Sequence, residues 1–570
     1  MLRRPKFHIS INYRLTYLTL LILLIAGTLV ARLFYLQILQ YNMYFELAKN
    51  QQQSASSLLP ERGNIYFRED KTDRLITVAT TQKGYLLYVD TRTFKGSDEV
   101  FQKINSITSI DKTIFDQIIK KINDPYEILK QRVSLNDGDK IKALKITGIG
   151  LEPRSWRFYP GDTMASHVLG FVSSVSDNMP RGQYGIEKFY ESKLRGEGSS
   201  SLTEKDAGGI LLVFNNKFDI SSRDGNDVVL TIEPSVQFAT EDELKQLKDD
   251  WNPVSGGIII VEPKTGKIRA LAAFPNFNPN EYNKEKKLDV FLNPFIEKTF
   301  ELGSVFKPLT IAAALDQGVL TPETTYVDKG QIKINGQTIS NFDGKARGLR
   351  TMTQVLEESL NTGAIFAMQK LGQEKFKEYF HNYGLGEKLN IDLSGELAGN
   401  LNNLNDWREV YYATASFGQG IAVTPLELTM ALSALGNGGE LLRPNINEER
   451  EKTVIRRVLK AETSQTITRM LVDVVDVALL GGQAKKTDYS IAAKTGTAQL
   501  LNKSGDSTYA SDQFLHSFFG YFPAYDPRFL IFIFLERPRG VEYASHSLTN
   551  SFSTLVDFLI NYYTIPPDRN

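Results

Sequence analysis

The chain has 570 residues, 66 basic and 66 acidic side chains, and no cysteine. The balanced charge supplies no global field for nucleic acid, so no nucleic-acid partner is expected. The absence of cysteine excludes disulfides, thiolate zinc sites and cysteine nucleophiles, and five scattered histidines without a His-x-x-x-His pair give no basis for a metal centre.

At the amino terminus, residues 15–31 are free of charge, and Arg32 is followed by Leu33-Phe34-Tyr35-Leu36. That run is long enough to span a bilayer if Arg32 reaches the interface. A cleaved signal peptide is the competing reading. No small-x-small cleavage site followed by a polar start is present, and the apolar run continues past where one would fall. Arg3, Arg4, Lys6 and Arg14 come before or at the start of the span, and the first acidic residue is Glu46. The positive-inside rule therefore places a tail, residues 1–13, in the cytoplasm, a single span at 14–36, and the remainder outside.

Residues 37–225 mix short strands, such as Gly84-Tyr85-Leu86-Leu87-Tyr88-Val89, with amphipathic helices. Ser199-Ser200-Ser201 and Ser221-Ser222-Arg223-Asp224-Gly225-Asn226 read as exposed turns, the second as a domain boundary. Val228-Val229-Leu230-Thr231-Ile232 then leads into a helix over 234–247, and residues 226–570 are long enough for a large core.

Within that second half stand Ser304-Val305-Phe306-Lys307, Ser359-Leu360-Asn361 and Lys494-Thr495-Gly496. Together they supply a nucleophile with a lysine one turn away, a second hydroxyl for proton traffic and a cationic strand. Each motif alone is short enough to recur by chance. The chain also contains Ser109-Ile110-Asp111-Lys112, Ser10-Ile11-Asn12, Ser134-Leu135-Asn136 and Lys264-Thr265-Gly266.

Context separates the copies. Ser-x-x-Lys brings an ammonium beside a hydroxyl only where a helix begins, because residues i and i+3 share a face. Pro308 directly follows Lys307 and fits only a first helical turn, and Leu309-Thr310-Ile311-Ala312-Ala313-Ala314-Leu315 continues as a buried helix. Ser304 is then expected at the positive end of the helix dipole, with Lys307 shifted towards neutrality by desolvation and a neighbouring cation. Ser109 instead precedes a polar helix with one apolar stripe (Ile114, Phe115, Ile118, Ile119) and reads as an N-cap. Lys264 follows Pro263 between two apolar strands and reads as a hairpin turn. Lys494 sits in Ile491-Ala492-Ala493-Lys494-Thr495-Gly496-Thr497-Ala498. Small residues and an internal glycine there predict an edge strand that another backbone can approach, including a substrate peptide adding as an extra strand. Ser359-Leu360-Asn361 lies between two helical runs, where a cap is the competing reading. His516 reads as a satisfied core residue near this sheet. Residues 518–522 and 529–535 read as further strands of it, packed by a helix over 551–563.

Taken together these residues resemble the transpeptidase domain of class B penicillin-binding proteins, monofunctional peptidoglycan D,D-transpeptidases. The Phe417-Gly418-Gln419-Gly420 segment, Val261-Glu262-Pro263-Lys264-Thr265-Gly266, and Ala273-Phe274-Pro275-Asn276-Phe277-Asn278-Pro279 extend the likeness. Pro60-Glu61-Arg62-Gly63, Arg157-Phe158-Tyr159-Pro160-Gly161 and Gly185-Ile186-Glu187-Lys188-Phe189-Tyr190 resemble the family's non-catalytic pedestal. Two departures stand out: Leu302 where proline is usual before Gly303, which would loosen entry to the nucleophile helix, and Phe67-Arg68-Glu69-Asp70 in a pedestal turn.

The resemblance implies an α/β (α+β) fold: a central antiparallel sheet flanked by helices at 226–570, a pedestal of the dimerisation type at 37–225, and one transmembrane helix. It implies Ser304 as nucleophile, Lys307 as base, Ser359 as proton relay and Asn361 as the contact to the substrate amide. Lys494, Thr495 and Thr497, around Gly496, would engage the terminal carboxylate. Backbone N–H groups of Ser304 and Thr497 would form the oxyanion hole. No cofactor is expected. The implied partners are stem peptides and lipid-linked precursor, β-lactams, and a membrane-embedded glycan polymerase with other division proteins, on a bacterial cytoplasmic membrane. Arg32-Leu33-Phe34-Tyr35-Leu36-Gln37-Ile38, His516-Ser517-Phe518 and Tyr562-Tyr563-Thr564-Ile565-Pro566-Pro567 look more like the septal than the elongation type. The alternatives are an elongation enzyme, a penicillin sensor without turnover, a degenerate scaffold, and a hydrolase transferring to water.

Overall fold

The computed structural model describes residues 13–40, 60–121, 123–174, 180–196, 224–501 and 509–569. Ser10-Ile11-Asn12, Ser199-Ser200-Ser201 and Ser221-Ser222-Arg223 lie outside them. The chain divides into two compact units, Met1–Glu61 with Gly196–Asp224, and Arg62–Arg195 with Gly225–Asn570.

In the first unit an α-helix, α1, runs Tyr13–Phe34 and continues as a π-helical turn, Tyr35–Leu39. Its apolar stretch Tyr17–Phe34 is exposed along its whole length. A helix apolar on all sides over this length matches the dimensions of a membrane span.

The second unit begins with a sheet of β1 (Ile65–Glu69), the long β2 (Arg74–Val89), β3 (Glu127–Ser134), β4 (Ile149–Phe158) and β5 (Val228–Leu230). β2 pairs antiparallel with β1 through its first half and with both β3 and β4 through its second, and β5 adds parallel to β1. The segment after residue 226 thus completes this sheet before the chain leaves it. The turn Asp70-Lys71-Thr72-Asp73 follows the Phe67-Arg68-Glu69 departure. Asp70 reaches out of it to accept from Arg269 and from the Tyr563 hydroxyl at 2.8 Å.

The larger sheet holds β6 (Ser255–Val261), β7 (Ile268–Phe274), β8 (Ala492–Leu501), β9 (Tyr509–Phe522) and β10 (Phe529–Glu536). Its order is β8-β9-β10-β6-β7, antiparallel throughout, so β8 is an edge. β6, β7 and β10 are buried on both faces, which is why they read as continuous apolar runs. Ile258 and Ile260 pack into one cluster with α2 (Pro234–Trp251) and the carboxy-terminal helix Ala544–Tyr563, whereas Ile259 and Val261 pack into the helical lobe. The carboxy-terminal helix begins earlier than the expected residue 551.

The competing motifs within the described residues resolve as local structure. Ser134 caps the helix Leu135–Ala143, accepting from Asp137 N at 3.1 Å. Lys264 lies in the β6–β7 turn and pairs with exposed Asp526. At Ser109 the expectation needs correction: the cap of the helix Lys112–Ile118 is Asp111, which accepts from Thr113 N and Ile114 N, while the Ser109 carbonyl accepts from Lys130. An aspartate two residues nearer the helix offers the better-placed acceptor.

Candidate active site

The nucleophile segment is a 3₁₀ turn, Gly303–Phe306, running into α3, Lys307–Asp316, with Pro308 in its first turn. Every residue of α3 except Leu315 is buried, and Thr310 Oγ1 donates to Ser416 O at 2.8 Å. Gly303 has a φ of +69° and its N–H donates to Gly418 O. A Cβ on Gly418 would fall 2.4 Å from Gly303 O, so the Phe417-Gly418-Gln419-Gly420 segment presses directly on the turn. Leu302 does not loosen the entry: it is fully buried, and its carbonyl accepts from Ser517 Oγ at 2.7 Å.

The second motif follows the helix Met352–Glu357, which a Thr351/Gln354 capping box starts. Ser359 takes a φ of +53°, and Asn361 opens α4, Asn361–Leu371. A non-glycine residue held in the left-handed region is a strained position fixed by its surroundings.

The three motifs meet at Ser359. Lys307 Nζ donates to Ser359 O at 2.5 Å and lies 3.1 Å from Ser359 Oγ. Lys494 Nζ lies 3.0 Å from the same Oγ and 3.0 Å from Thr495 O. Both lysines are buried, at 0% and 2% exposure. Burial, and then the Lys494 charge, push the Lys307 amine well below the ordinary lysine range. Burial alone brings Lys494 down to about 7.

Strand alternation separates the third motif's side chains. Lys494 pairs in register with Phe519, on the face towards the helical lobe. Thr495 and Thr497 pair with Phe518 and His516, on the face of the carboxy-terminal helix. Lys494 is therefore turned to Ser359 rather than lying beside the two threonines. Thr497 Oγ1 accepts from Ala544 N at 3.0 Å, leaving its proton to donate. Gly496 is buried, and the backbone it admits is the chain's own: a Cβ there would lie 2.9 Å from Leu302 O and 3.1 Å from Val305 N. His516 is fully buried, with Nδ1 2.7 Å from Ser547 Oγ and Nε2 3.0 Å from Glu542 O. Burial lowers its pKa to about 4, so it is a neutral core residue.

Asn361 is half-buried and its Nδ2 donates to Ser340 O at 2.9 Å. The sequence reading missed Ser517, Ala544, Asn341 and Asp328, which hold these groups in place. Only Ser517, between His516 and the strand expected over 518–522, had a positional signal. Among the described residues, no group of three histidine or acidic side chains is placed to hold a metal. The arrangement offers a hydroxyl on a tight turn, a low-pKa amine, and a second hydroxyl shared by two buried amines, which is acyl-transfer machinery.

Comparison with known proteins agrees with this geometry. The model of the penicillin binding protein transpeptidase domain matches residues 256–557, and that of the penicillin-binding protein dimerisation domain matches residues 57–230. Stage V sporulation protein D of Bacillus subtilis is 30% identical over 548 residues, covering 94% of this chain and 83% of that protein. The peptidoglycan D,D-transpeptidase FtsI of Escherichia coli is 27% identical over 581 residues, covering 99% and 95%. In fold, the chain is similar to penicillin binding protein 2X from Streptococcus thermophilus, with a TM-score of 0.71 at 22% identity over 89% of this chain and 80% of that one.

Proposed function

Because this chain belongs to the penicillin-binding proteins, as a class B peptidoglycan D,D-transpeptidase of the septal type, we propose that its acyl-enzyme forms on Ser304. Its ligands are those of the family, peptidoglycan stem peptides and β-lactams. Ser304 Oγ attacks the carbonyl between the two terminal D-alanines, and neutral Lys307 takes its proton. The C–N bond breaks, Ser359 passes a proton to the departing D-alanine nitrogen, and Lys307 and Lys494 resupply Ser359. Asn361 positions the substrate amide. Thr495 and Thr497 meet the terminal carboxylate at the open edge of β8, with Lys494 adding positive charge behind them. The N–H groups of Ser304 and Thr497 hold the oxyanion. The amine of a second stem then displaces Ser304 and completes the cross-link.

The observation that carries this reading is the Ser359 hydroxyl, held at 3.0–3.1 Å by amines from both other motifs. A proton relay needs that placement, whereas a capping serine does not. Mass spectrometry of products from a lipid-linked precursor tests it. Dimerised stems are expected, and trimmed monomers alone would mean transfer to water.

The division of labour proposed is a tail at 1–13, a span at 14–36, a pedestal at 37–225 and a catalytic domain at 226–570. The positive-inside pattern supports an outward-facing catalytic domain. Protease added to spheroplasts should digest everything beyond about residue 40, and a mature protein beginning near there would show cleavage instead. The span and pedestal would dock a membrane-embedded glycan polymerase and other division proteins. Depletion should give filaments with intact side walls, and rounded cells that still divide would overturn the septal role.

A further inference from the structure

Behind the second motif lies a carboxylate that the mechanism above does not use. Asp328 ends the strand Thr325–Asp328, which pairs with Gly348–Thr351, and it is 1% exposed. Its oxygens accept from Thr362 Oγ1 at 2.7 Å, Gly330 N at 3.0 Å, Asn341 Nδ2 at 3.0 and 3.1 Å, and Arg347 N at 2.8 Å. All four donors are uncharged groups drawn from separate segments. Asn341 Oδ1 in turn accepts from Thr362 N at 3.2 Å, and neighbouring Ser340 O accepts from Asn361 Nδ2 at 2.9 Å. One carboxylate thus fastens the hairpin Gln331–Ile334/Gln337–Ser340 to the first turn of α4.

Burying a carboxylate with the Arg347 charge nearby but no direct ion pair is costly, and a hairpin on its own gives no reason for it. The reason lies in where the bonds end. Two of them converge on Thr362, the residue after Asn361, and the third link fixes Asn361 itself. With one Nδ2 hydrogen given to Ser340 O, the Asn361 amide is oriented and keeps its second N–H and its Oδ1 for the substrate amide. The same helix start follows Ser359, whose strained backbone must hold its hydroxyl between two lysines. Catalytic groups need placement to within about 0.5 Å.

We propose that Asp328 is a positioning residue for the transpeptidase, fixing Asn361 for its contact to the substrate amide through Thr362 and Asn341. Burial raises the carboxyl, but the bonds from Thr362, Gly330, Asn341 and Arg347 outweigh it and hold it below the ordinary carboxylate range, so the hub is ionised. The inference rests on the reading that Ser304 is acylated and that Asn361 meets the substrate amide.

The test uses full-length protein in detergent and two penicillins. Benzylpenicillin carries the acylamino side chain, and 6-aminopenicillanic acid lacks it. Asp328→Asn should slow acylation by benzylpenicillin by at least about tenfold and by 6-aminopenicillanic acid by less than about threefold. In an Asn361→Ala background, Asp328→Asn should add almost nothing, since the two substitutions remove the same contact. Equal losses with both penicillins, or losses that add to those of Asn361→Ala, would overturn the proposal. A fall in melting temperature with unchanged acylation would do so as well. If Asp328→Asn fails to fold, Thr362→Val, which removes the hydroxyl that meets Asp328, Asn341 and Tyr326 but keeps the Thr362 N–H bond to Asn341, is judged by the same ratio. Wild-type protein with no adduct on Ser304 would instead refute the acyl-enzyme reading.

Discussion

Replacing Gly496 with alanine probes the contact between β8 and the nucleophile turn. The new Cβ would sit 2.4 Å from Ser517 Oγ, 2.9 Å from Leu302 O and 3.1 Å from Val305 N. Ser517 cannot swing aside freely, because its hydroxyl donates to Leu302 O at 2.7 Å. The other two atoms are backbone of the segment that carries Ser304. Carbon contacts settle at about 3.5–4.0 Å, so strand and turn must part by roughly half an ångström or more. Overpacking of this kind costs about 1–3 kcal/mol. A displacement approaching 1 Å between reacting groups costs about 10²-fold in rate. Stopped-flow acylation by a fluorescent penicillin, paired with thermal melting, separates the two effects. We expect the acylation constant to fall by about 10² while the melting temperature falls by only a few degrees. Gly372→Ala is the control: its φ is +83° with nothing within 4 Å of the added Cβ, so it carries strain without crowding. Acylation of Gly496→Ala within about threefold of wild type would refute the view that this contact sets the nucleophile's position.

Ser304→Ala should abolish covalent labelling by a fluorescent penicillin and Ser109→Ala should leave it intact; labelling that survives the first change would remove Ser304 as nucleophile. Lys494→Ala should slow acylation by about 10² or more, whereas Lys264→Ala, which removes an exposed pair with Asp526, should change it little; equal rates for the two variants would show the wrong copy had been chosen. Stability should also respond to Lys494. Its pKa falls from about 10.5 unfolded to about 7 folded, so the unfolded chain binds the extra proton between those values and stability rises with pH across that window. Below pH 7 the folded state carries the full penalty of a buried ammonium. Lys494→Met should therefore melt higher than wild type at pH 6, and the advantage should shrink by pH 10; a constant difference would contradict the assigned shift.

Much of this protein is local and was legible in the sequence. Pro308 after Lys307 sets a helix start, because proline fits only the first turn. The apolar residues of β6 and β10 mark strands buried on both faces, and the uncharged run over 15–31 marks the long apolar helix at the amino-terminal end. Those features depend on residues a few positions apart. What sequence could not supply is who meets whom across long separations. It placed Lys494 with Thr495 and Thr497 on one carboxylate, but the alternation of β8 sends Lys494 to Ser359, 135 residues away in the chain. It read Gly496 as room for a substrate backbone, whereas the backbone admitted is that of Leu302 and Val305. Asp328 carried no signal at all, since an aspartate at a strand end reads as a solvated turn until Thr362 and Asn341 close over it. Residue type and periodicity fix which chemistry is available. Only packing decides which groups lose water, and so which lysine is neutral and which carboxylate is a hub.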